Sequence, residues 1–255
     1  MSLSPDDTTL DGFLGGQLRI RQPKDGYRAA TDPVFLAAAT DAKAGDTLLE
    51  LGCGVGVASL CLAKRVPGVA ITGIEVQAEY AALARDNAVS NGLDFTVIDG
   101  DIGQMPDALR SQSFDHVIAN PPFFDKGAGS APHNSGKATA HVFETDLSDW
   151  VDAGLRRLKH NGTFTMIQLA VQLPEILIAL SGRAGNIEVL PLAARSGRAA
   201  KRVLVRAQKG SRAPFKLLAP FLVHSGAQHV QGTSDYSKPA AAILQDGAEL
   251  RWENR

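Results

Sequence analysis

The sequence is poor in cysteine, in aromatic residues and in net charge. Its 255 residues include only two cysteines, 6% are aromatic, and the formal net charge at pH 7 is −1. The two cysteines, Cys53 and Cys61, fit neither a disulfide framework nor a paired metal-binding knuckle, so no metal site is predicted and a reducing compartment is favoured. Because the overall charge is nearly balanced, the chain as a whole does not indicate a polyanionic partner.

Long hydrophobic runs are also missing. No apolar run reaches the length that crosses a bilayer, and the first residues, MSLSPDDTTLDGF, lack the basic-then-apolar pattern of a secretory signal. A cytoplasmic location without a membrane partner is therefore the expectation. Hydrophobic residues make up 44% of the chain and charged residues 21%, which is typical of globular proteins.

Between residues 47 and 170, short apolar strands alternate with helices. Strands are predicted at 47–51, 69–75, 95–100, 114–120 and 163–170, and helices at 57–65, 78–92 and 147–162. The last of these helices is expected to stop at the Asn161-Gly162 pair. Alternation of this kind is typical of a doubly wound α/β fold, in which helices cover both faces of a parallel sheet.

The ends of the chain differ from this pattern. Residues 1–15 are polar or glycine-rich and are predicted to be irregular, whereas 31–40 is predicted to be a helix capped by Thr31 or Asp32. After a helix near 172–182, strand-like runs at 187–192, 202–207 and 216–223 predict an antiparallel edge on a mostly parallel sheet. We expect one domain, extended at both ends.

Three glycines follow the first strand of the alternating region, in the stretch ELGCGVG at 50–56. Glycines at such a turn let a ligand approach the backbone and expose the amides that begin the next helix. Glu75 ends the next strand, 19 residues after Gly56, where a carboxylate can accept from both hydroxyls of a ribose. An acid followed by Gly52, Gly54 and Gly56 differs from the G-x-G-x-x-G spacing of dinucleotide sites.

This loop and Glu75 resemble the first motif and the ribose-binding acid of class I S-adenosylmethionine (SAM) methyltransferases. The resemblance implies a Rossmann-like, seven-stranded sheet and a SAM cofactor. It implies that Asp101 binds the exocyclic amine of the adenine in SAM, with Asp99 as a competing choice. Glu50 is expected to be a buried carboxylate that shapes the loop. The SAM contacts implied within this core are Glu50, Gly52, Gly54, Gly56, Glu75, Val76, Asp101, Ile102 and Asn120. An NAD-dependent oxidoreductase remains an alternative, because glycine-rich loops alone are weakly specific.

The stretch IANPPFFDKG at 118–127 ends an apolar strand in a stiff corner. The side-chain carbonyl of Asn120 and the backbone carbonyl of Pro121 are two fixed acceptors that can bind both hydrogens of one planar amine. Pro122 keeps the corner rigid, and Phe123 offers a flat face on which a target ring can stack. The alternative is a strand-ending turn with a hydrophobic plug.

This quartet resembles the fourth motif of amino-methyltransferases, which modify adenine N6, guanine N2 or a glutamine side-chain amide. The resemblance implies catalytic roles for Asn120, Pro121, Pro122 and Phe123. Acceptors other than adenine remain open: another RNA base, DNA adenine, a protein glutamine or a small molecule. A non-catalytic RNA-binding protein is a further alternative.

Three flanking stretches, at 25–39, 200–205 and 229–240, resemble segments of the bacterial tRNA1(Val) (adenine-37-N6)-methyltransferase family. The resemblance implies that Arg28, Thr31 and Asp32 hold the amino-acid end of SAM. It also implies an N-terminal segment, 1–40, that caps the SAM site of a methyltransferase domain at 41–255.

A basic stretch accompanies these segments. Residues 195–216 contain eight Lys or Arg and no acid, which is either a solvated face or a surface that binds RNA phosphates. The resemblance favours RNA, most simply tRNA, as the partner. The candidate RNA contacts are Arg195, Arg198, Lys201, Arg202 and Arg206.

Overall fold

The structure is a computed structural model that describes residues 5–123, 145–226 and 235–252. A hairpin of β1 (Thr8–Phe13) and β2 (Leu18–Pro23) precedes helix α1 (Asp32–Ala39). The elements that follow are β3 (Thr47–Leu51), α2 (Val57–Arg65), β4 (Ala70–Glu75), α3 (Ala78–Asn91), β5 (Thr96–Asp99), α4 (Asp107–Arg110), β6 (Phe114–Ala119), α5 (Leu147–Arg157), β7 (Leu158–Leu169), α6 (Leu173–Leu180), β8 (Ala184–Ala193), β9 (Arg202–Lys209), β10 (Lys216–Leu217), β11 (Phe221–Leu222) and α7 (Lys238–Asp246).

The main sheet has the strand order β10-β8-β9-β7-β6-β3-β4-β5, and β11 also pairs with β8. Strands β3 to β7 are parallel, whereas β9 runs antiparallel between β7 and β8. Strands β3 to β9 are the expected seven, so the mostly parallel sheet with an antiparallel edge is confirmed. Chain order reverses at β3, which lies between β4 and β6, and in such sheets ligands bind beyond the carboxyl ends of the strands at this point.

Helices cover both faces of the sheet and bury two apolar clusters. Phe35 of α1 and Leu60 of α2 belong to the cluster on one face, and Trp150 of α5 and Ile176 of α6 belong to the cluster on the other. The C-terminal segment closes the first cluster, since Trp252 Nε1 donates to the carbonyl of Ala39 at 2.8 Å. No helix in the described part of the chain is long and apolar enough to cross a membrane.

The prediction of irregular structure over residues 1–15 is wrong, because Thr8–Phe13 forms β1. This strand pairs along its whole length with β2, whose Leu18 and Ile20 are buried. The two buried residues alternate with exposed or half-buried arginines. That period of two in β2 was the available signal for the hairpin, because the polar residues 1–15 carry no such pattern.

The predicted helix over 147–162 is too long, because α5 ends at Arg157 and β7 begins at Leu158. Asn161 has a φ of +63°, so the Asn-Gly pair bends a strand instead of ending a helix. A side chain at Gly162 would lie 2.9 Å from the carbonyl of Asp115, which explains why glycine occupies this point of the β6–β7 pairing. Within the flanking stretch at 229–240, residues 229–234 lie outside the described residues.

Candidate active site

The three glycines of the loop between β3 and α2 have different surroundings, and each surrounding explains why glycine is needed. A Cβ at Gly52 would lie 2.5 Å from the Trp150 ring, and one at Gly56 would lie 3.0 Å from Phe95. These two glycines allow close packing, and Gly56 also begins α2 with a φ of +88°. Only the Cβ position of Gly54 meets nothing within 4 Å, so Gly54 is the glycine that borders open space.

Glu75, at the end of β4, holds this loop in place. Its Oε2 accepts a hydrogen bond from the Gly54 amide and its Oε1 accepts one from the Gln77 amide, each at 2.9 Å. Val76 follows at the bend and is half-buried. Burial raises the pKa of the Glu75 carboxyl. Hydrogen bonds from the amides of Gly54, Val76 and Gln77 and from the Gln77 side chain oppose this rise, so the carboxylate is held firmly within its own loop.

Asp99 ends β5, and Asp101 follows it two residues later. The two acids have different partners. Asp99 forms an ion pair with Arg85 and is largely exposed. Asp101 Oδ1 accepts from the Gly103 amide at 2.8 Å, which closes a turn that places the half-buried Ile102 against the apolar cluster of α5 and α6. Asp101 therefore differs from Asp99 in having no ion pair among the described residues, and its adenine-binding role stays a prediction.

The Asn-Pro-Pro-Phe corner follows β6 directly. Asn120 Nδ2 donates to the Tyr27 hydroxyl at 3.2 Å. Asn120 Oδ1 is buried and has no hydrogen-bond donor among the residues that the structure describes. Leaving such an acceptor unpaired costs free energy, about 1–3 kcal/mol. A buried acceptor without a protein partner is what a site for an incoming N–H group requires.

The second acceptor of the corner, the carbonyl of Pro121, is oriented by Gln168 at the end of β7. Gln168 is fully buried, and its Nε2 donates to this carbonyl at 3.3 Å. Gln168 Oε1 accepts from the Leu169 amide at 2.7 Å, so both ends of the Gln168 amide are fixed. A carbonyl oxygen has two lone pairs, and one remains for a substrate.

Sequence reasoning missed both Tyr27 and Gln168. Burial and the nearby charge of Asp32 raise the pKa of Tyr27 to about 12, so its phenol stays neutral where it meets Asn120. Tyr27 belongs to the same flanking stretch as Arg28 and Thr31, and Gln168 is a buried polar residue at a strand end. A polar side chain at the carboxyl end of β7 was the available signal for Gln168.

Phe123 is joined to the basic strand β9. The guanidinium carbon of Arg202 lies 4.2 Å from the centre of the Phe123 ring, and Arg202 Nε donates to Asp32 Oδ2 at 2.9 Å. Thr31 and Asp32 line a cavity with Arg202. Arg28 turns to the hairpin, where its Nη2 pairs with Asp11 Oδ2 at 2.6 Å. The structure thus brings Asp32 to the corner and ties Arg28 to β1.

The five candidate RNA contacts do not all lie together. Arg195, Arg198, Lys201 and Arg202 line one cavity. Arg206 lies four residues farther along β9, away from the carboxyl edge of the sheet. There it pairs with the buried Glu188 and stacks on Trp252 at 4.4 Å. The structure therefore does not bring Arg206 to the site, because a buried carboxylate holds it within the fold.

Comparison with known proteins gives a consistent result. A family model, the methyltransferase small domain, matches residues 30–177. A tRNA1(Val) (adenine(37)-N6)-methyltransferase from Haemophilus influenzae (strain PittEE) is 28% identical over 162 residues, covering 62% of this chain and 68% of that protein. Its counterpart from Dickeya chrysanthemi (strain Ech1591) is 27% identical over 214 residues, covering 82% and 83%. A crystal structure of a predicted O-methyltransferase from Agrobacterium tumefaciens aligns with a TM-score of 0.67 and 26% identity, over 86% of this chain and 98% of that one.

The family model spans more than half of the chain. The chain belongs to the methyltransferase small domain family. The predicted class I fold and SAM dependence are confirmed with it. The residues present fit the cofactor, because the Glu75 carboxylate ends β4, Asp101 has one oxygen without a hydrogen-bond partner in the described part of the chain, and the glycine loop is open at Gly54.

Two buried side chains of the methyltransferase's loop region are weakly acidic. Burial raises the pKa of the Cys53 thiol well above its usual value, so Cys53 is a packed side chain and not an activated nucleophile. Burial also raises the pKa of Glu50 to about 8, although the Ser59 amide and hydroxyl both donate to its Oε2. Near neutral pH, Glu50 of the free enzyme is thus mainly a neutral acid that fixes the start of α2.

We expect Glu50→Gln to flatten the pH dependence of the methyltransferase's stability. Between pH 4.5 and 8 the folded protein keeps the Glu50 proton that the unfolded chain has lost, so this residue's stabilising contribution falls as pH rises, by at most ~1.4 kcal/mol per pH unit. Glutamine retains the carbonyl that Ser59 needs and does not titrate. Chemical denaturation from pH 5 to 9 should show the variant gaining stability relative to the wild type as pH rises. An unchanged difference across this range would contradict the assignment.

Proposed function

We propose that this methyltransferase transfers a methyl group from SAM to the exocyclic N6 amine of an adenine in tRNA. The observation that carries the proposal is the buried Asn120 Oδ1, which has no partner within residues 5–123, 145–226 and 235–252, together with the oriented carbonyl of the next residue, Pro121. Two acceptors held side by side suit an amine that carries two hydrogens. The names of the curated relatives support adenine N6 in tRNA as the acceptor.

The chemistry follows from the state of the amine. The nitrogen of an adenine amine has its lone pair delocalised into the ring, and two hydrogen bonds accepted by Asn120 and Pro121 favour the pyramidal form that can attack. SAM supplies the electrophilic methyl group when bound. Because the attacking amine is neutral, no strong base is needed beforehand, and the extra proton leaves after transfer.

Neighbouring residues hold these acceptors still. Tyr27 fixes the Asn120 amide so that Oδ1 faces the substrate, and Gln168 fixes the Pro121 carbonyl. Pro122 removes backbone freedom between the acceptors and Phe123. The free face of Phe123 stacks on the adenine ring, which stabilises base binding by roughly 1–3 kcal/mol.

For the cofactor, we propose that Glu75 accepts from the ribose hydroxyls and Asp101 from the adenine amine. Gly54 gives the backbone access, and Val76 and Ile102 supply apolar edges. Residues 1–40 cap this site through Tyr27, which also binds Tyr80 of α3 through its backbone amide at 3.0 Å. Arg28 acts through the hairpin, because its guanidinium is already paired with Asp11.

We expect Asp101→Asn to weaken SAM binding about tenfold, because an acceptor of one charge-assisted hydrogen bond becomes a donor. The substitution keeps the Oδ1 that accepts from Gly103. Asp99→Asn is the matched control, and it should change the SAM dissociation constant less than twofold, roughly, since Asp99 serves Arg85. Isothermal titration calorimetry checks both. A larger effect at Asp99 than at Asp101 would reverse the two roles.

The decisive experiment is methylation of bulk tRNA by the purified enzyme with tritiated SAM, followed by digestion and separation of nucleosides. Label in N6-methyladenosine supports the proposal, and sequencing then maps the modified position. Absence of this nucleoside above background would contradict tRNA adenine as the substrate. Label in another nucleoside, in DNA, in protein glutamine or in a small molecule would identify a different acceptor for the same corner. A tRNA substrate also implies a cytoplasmic enzyme.

A further inference from the structure

The cavity lined by Thr31, Asp32 and Arg202 opens beside the Asn-Pro-Pro-Phe corner. It has a volume of about 760 Å³ and lies between the start of α1, the segment between β8 and β9, and the strand end at Val223 and His224. Arg202 is part of its wall and also covers one face of Phe123. The cavity therefore begins one side chain away from the corner.

The charges around this cavity are unequal. Arg202 is paired with Asp32, and Arg195 is paired with Asp235. Arg198 and Lys201 are exposed and form no ion pair with any residue that the structure describes. Two unpaired cations next to two neutralised arginines give the cavity mouth an excess positive charge, which suits a phosphate.

The inner wall is apolar and aromatic. Phe35 and Leu192 are buried in it, and Val223 is half-buried. His224 also lines the cavity, and its ring stacks on Tyr236 with 5.1 Å between centroids and 16° between planes. His224 Nδ1 is bonded to Asp235 Oδ1 at 2.8 Å, which fixes the ring orientation. A cationic rim above an apolar wall matches the two parts of a nucleotide, its phosphate and its base.

We propose that this cavity is a subsite for the nucleotide next to the target adenine in the RNA strand. The proposal rests on the function proposed above and adds where the strand continues. Its phosphate binds Arg198 and Lys201, and its base, splayed out of the strand, packs on the wall of Phe35, Leu192 and His224. Arg202, held by Asp32, separates this base from the target ring on Phe123.

The first test compares two double variants that remove the same charges. Arg198→Ala with Lys201→Ala removes the free cations of the subsite. Arg212→Ala with Lys64→Ala removes one exposed arginine and one exposed lysine from the opposite end of the sheet. We expect the subsite variant to raise the KM for tRNA about tenfold with kcat nearly unchanged, and the control to leave both nearly unchanged. An equal rise in the KM for tRNA in the two variants would show that only the overall positive charge matters, and it would overturn the proposal.

The second test removes the base. Hairpin RNAs that contain the mapped target adenine are made with an abasic residue on its 5′ or its 3′ side. We expect one of the two to raise the KM of the wild type about tenfold, through the lost stacking. Leu192→Asp, which places a charge on the wall, should raise the KM for the intact RNA and add little with that abasic RNA. Circular dichroism checks that Leu192→Asp folds. If the abasic residue raises the KM of Leu192→Asp as much as it raises that of the wild type, the base binds somewhere other than this wall.

Binding without turnover separates this inference from the proposed function. Fluorescence anisotropy with a labelled single-stranded oligoribonucleotide should show a salt-dependent affinity. The magnitude of the slope of log K against log salt should fall by about 0.7 in the Arg198/Lys201 variant, because one phosphate contact is lost. If no RNA is methylated but this slope changes, the proposed function fails and the cavity is an RNA-binding site without a target adenine beside it. If RNA is methylated and the slope does not change, the subsite fails and the function stands.

Discussion

Replacing Asn120 with alanine is expected to lower kcat for methyl transfer about 10³-fold, as the loss of an aligned polar partner does at other sites of developing charge. The substitution removes the buried Oδ1 that has no partner in the described structure, and with it one of the two acceptors that we propose for the amine. Because Gly54, Glu75 and Asp101 are untouched, the SAM dissociation constant should stay within about threefold of the wild type. Single-turnover kinetics and calorimetry measure the two quantities separately.

Asn120→Asp is the informative companion to this substitution. Aspartate keeps an acceptor at the Oδ1 position, and the Tyr27 hydroxyl, now the donor, can bind the other oxygen. We therefore expect Asn120→Asp to retain more activity than Asn120→Ala. A loss of SAM affinity as large as the loss of kcat in the alanine variant would show that Asn120 serves the cofactor and not the amine.

The largest expected effect on cofactor binding comes from Glu75→Gln. The carboxylate accepts from the amides of Gly54 and Gln77 and, in our proposal, from the ribose hydroxyls. Glutamine has the same shape but turns one of the two oxygens into a donor that faces an amide. Losing two charge-assisted hydrogen bonds should weaken SAM binding at least about 100-fold, with kcat recovered at saturating SAM.

Asp86→Asn provides the control for Glu75→Gln, because it removes an acid from the exposed surface of α3. Its SAM dissociation constant should match that of the wild type, as measured by calorimetry. A thermal denaturation curve for each variant separates binding loss from unfolding. If Glu75→Gln binds SAM as tightly as Asp86→Asn, Glu75 only supports the loop.

The sequence alone predicted the sheet, the glycine loop and the corner, because each depends on local spacing. The strands β3 and β6 and the helix α2 follow from apolar runs and turn residues that lie next to each other in the chain. The predictions that were wrong concern structures formed by residues far apart in the chain. The hairpin depends on pairing between β1 and β2, and Asn161 bends a strand because β7 pairs with β6.

The site residues that were missed share this cause. Tyr27 and Asn120 are 93 residues apart in the chain, and Gln168 and Pro121 are 47 apart. Arg206 was included with the RNA contacts because it is basic and close to Arg202 in sequence. Its buried partner Glu188 lies on β8, and no local pattern reveals that pairing.

The end of β7 has a consequence for how such an enzyme can change its substrate. Gln168 holds the Pro121 carbonyl, and the next residue, Leu169, is paired in the ladder with Arg202 of β9. Backbone hydrogen bonds thus set the spacing between the Pro121 carbonyl, which we propose binds the amine, and strand β9. Side chains on β9 and on the segment before it can be substituted without changing that distance. Under the proposed function, substitutions on this edge would change the sequence that surrounds the target base while the reaction itself is preserved.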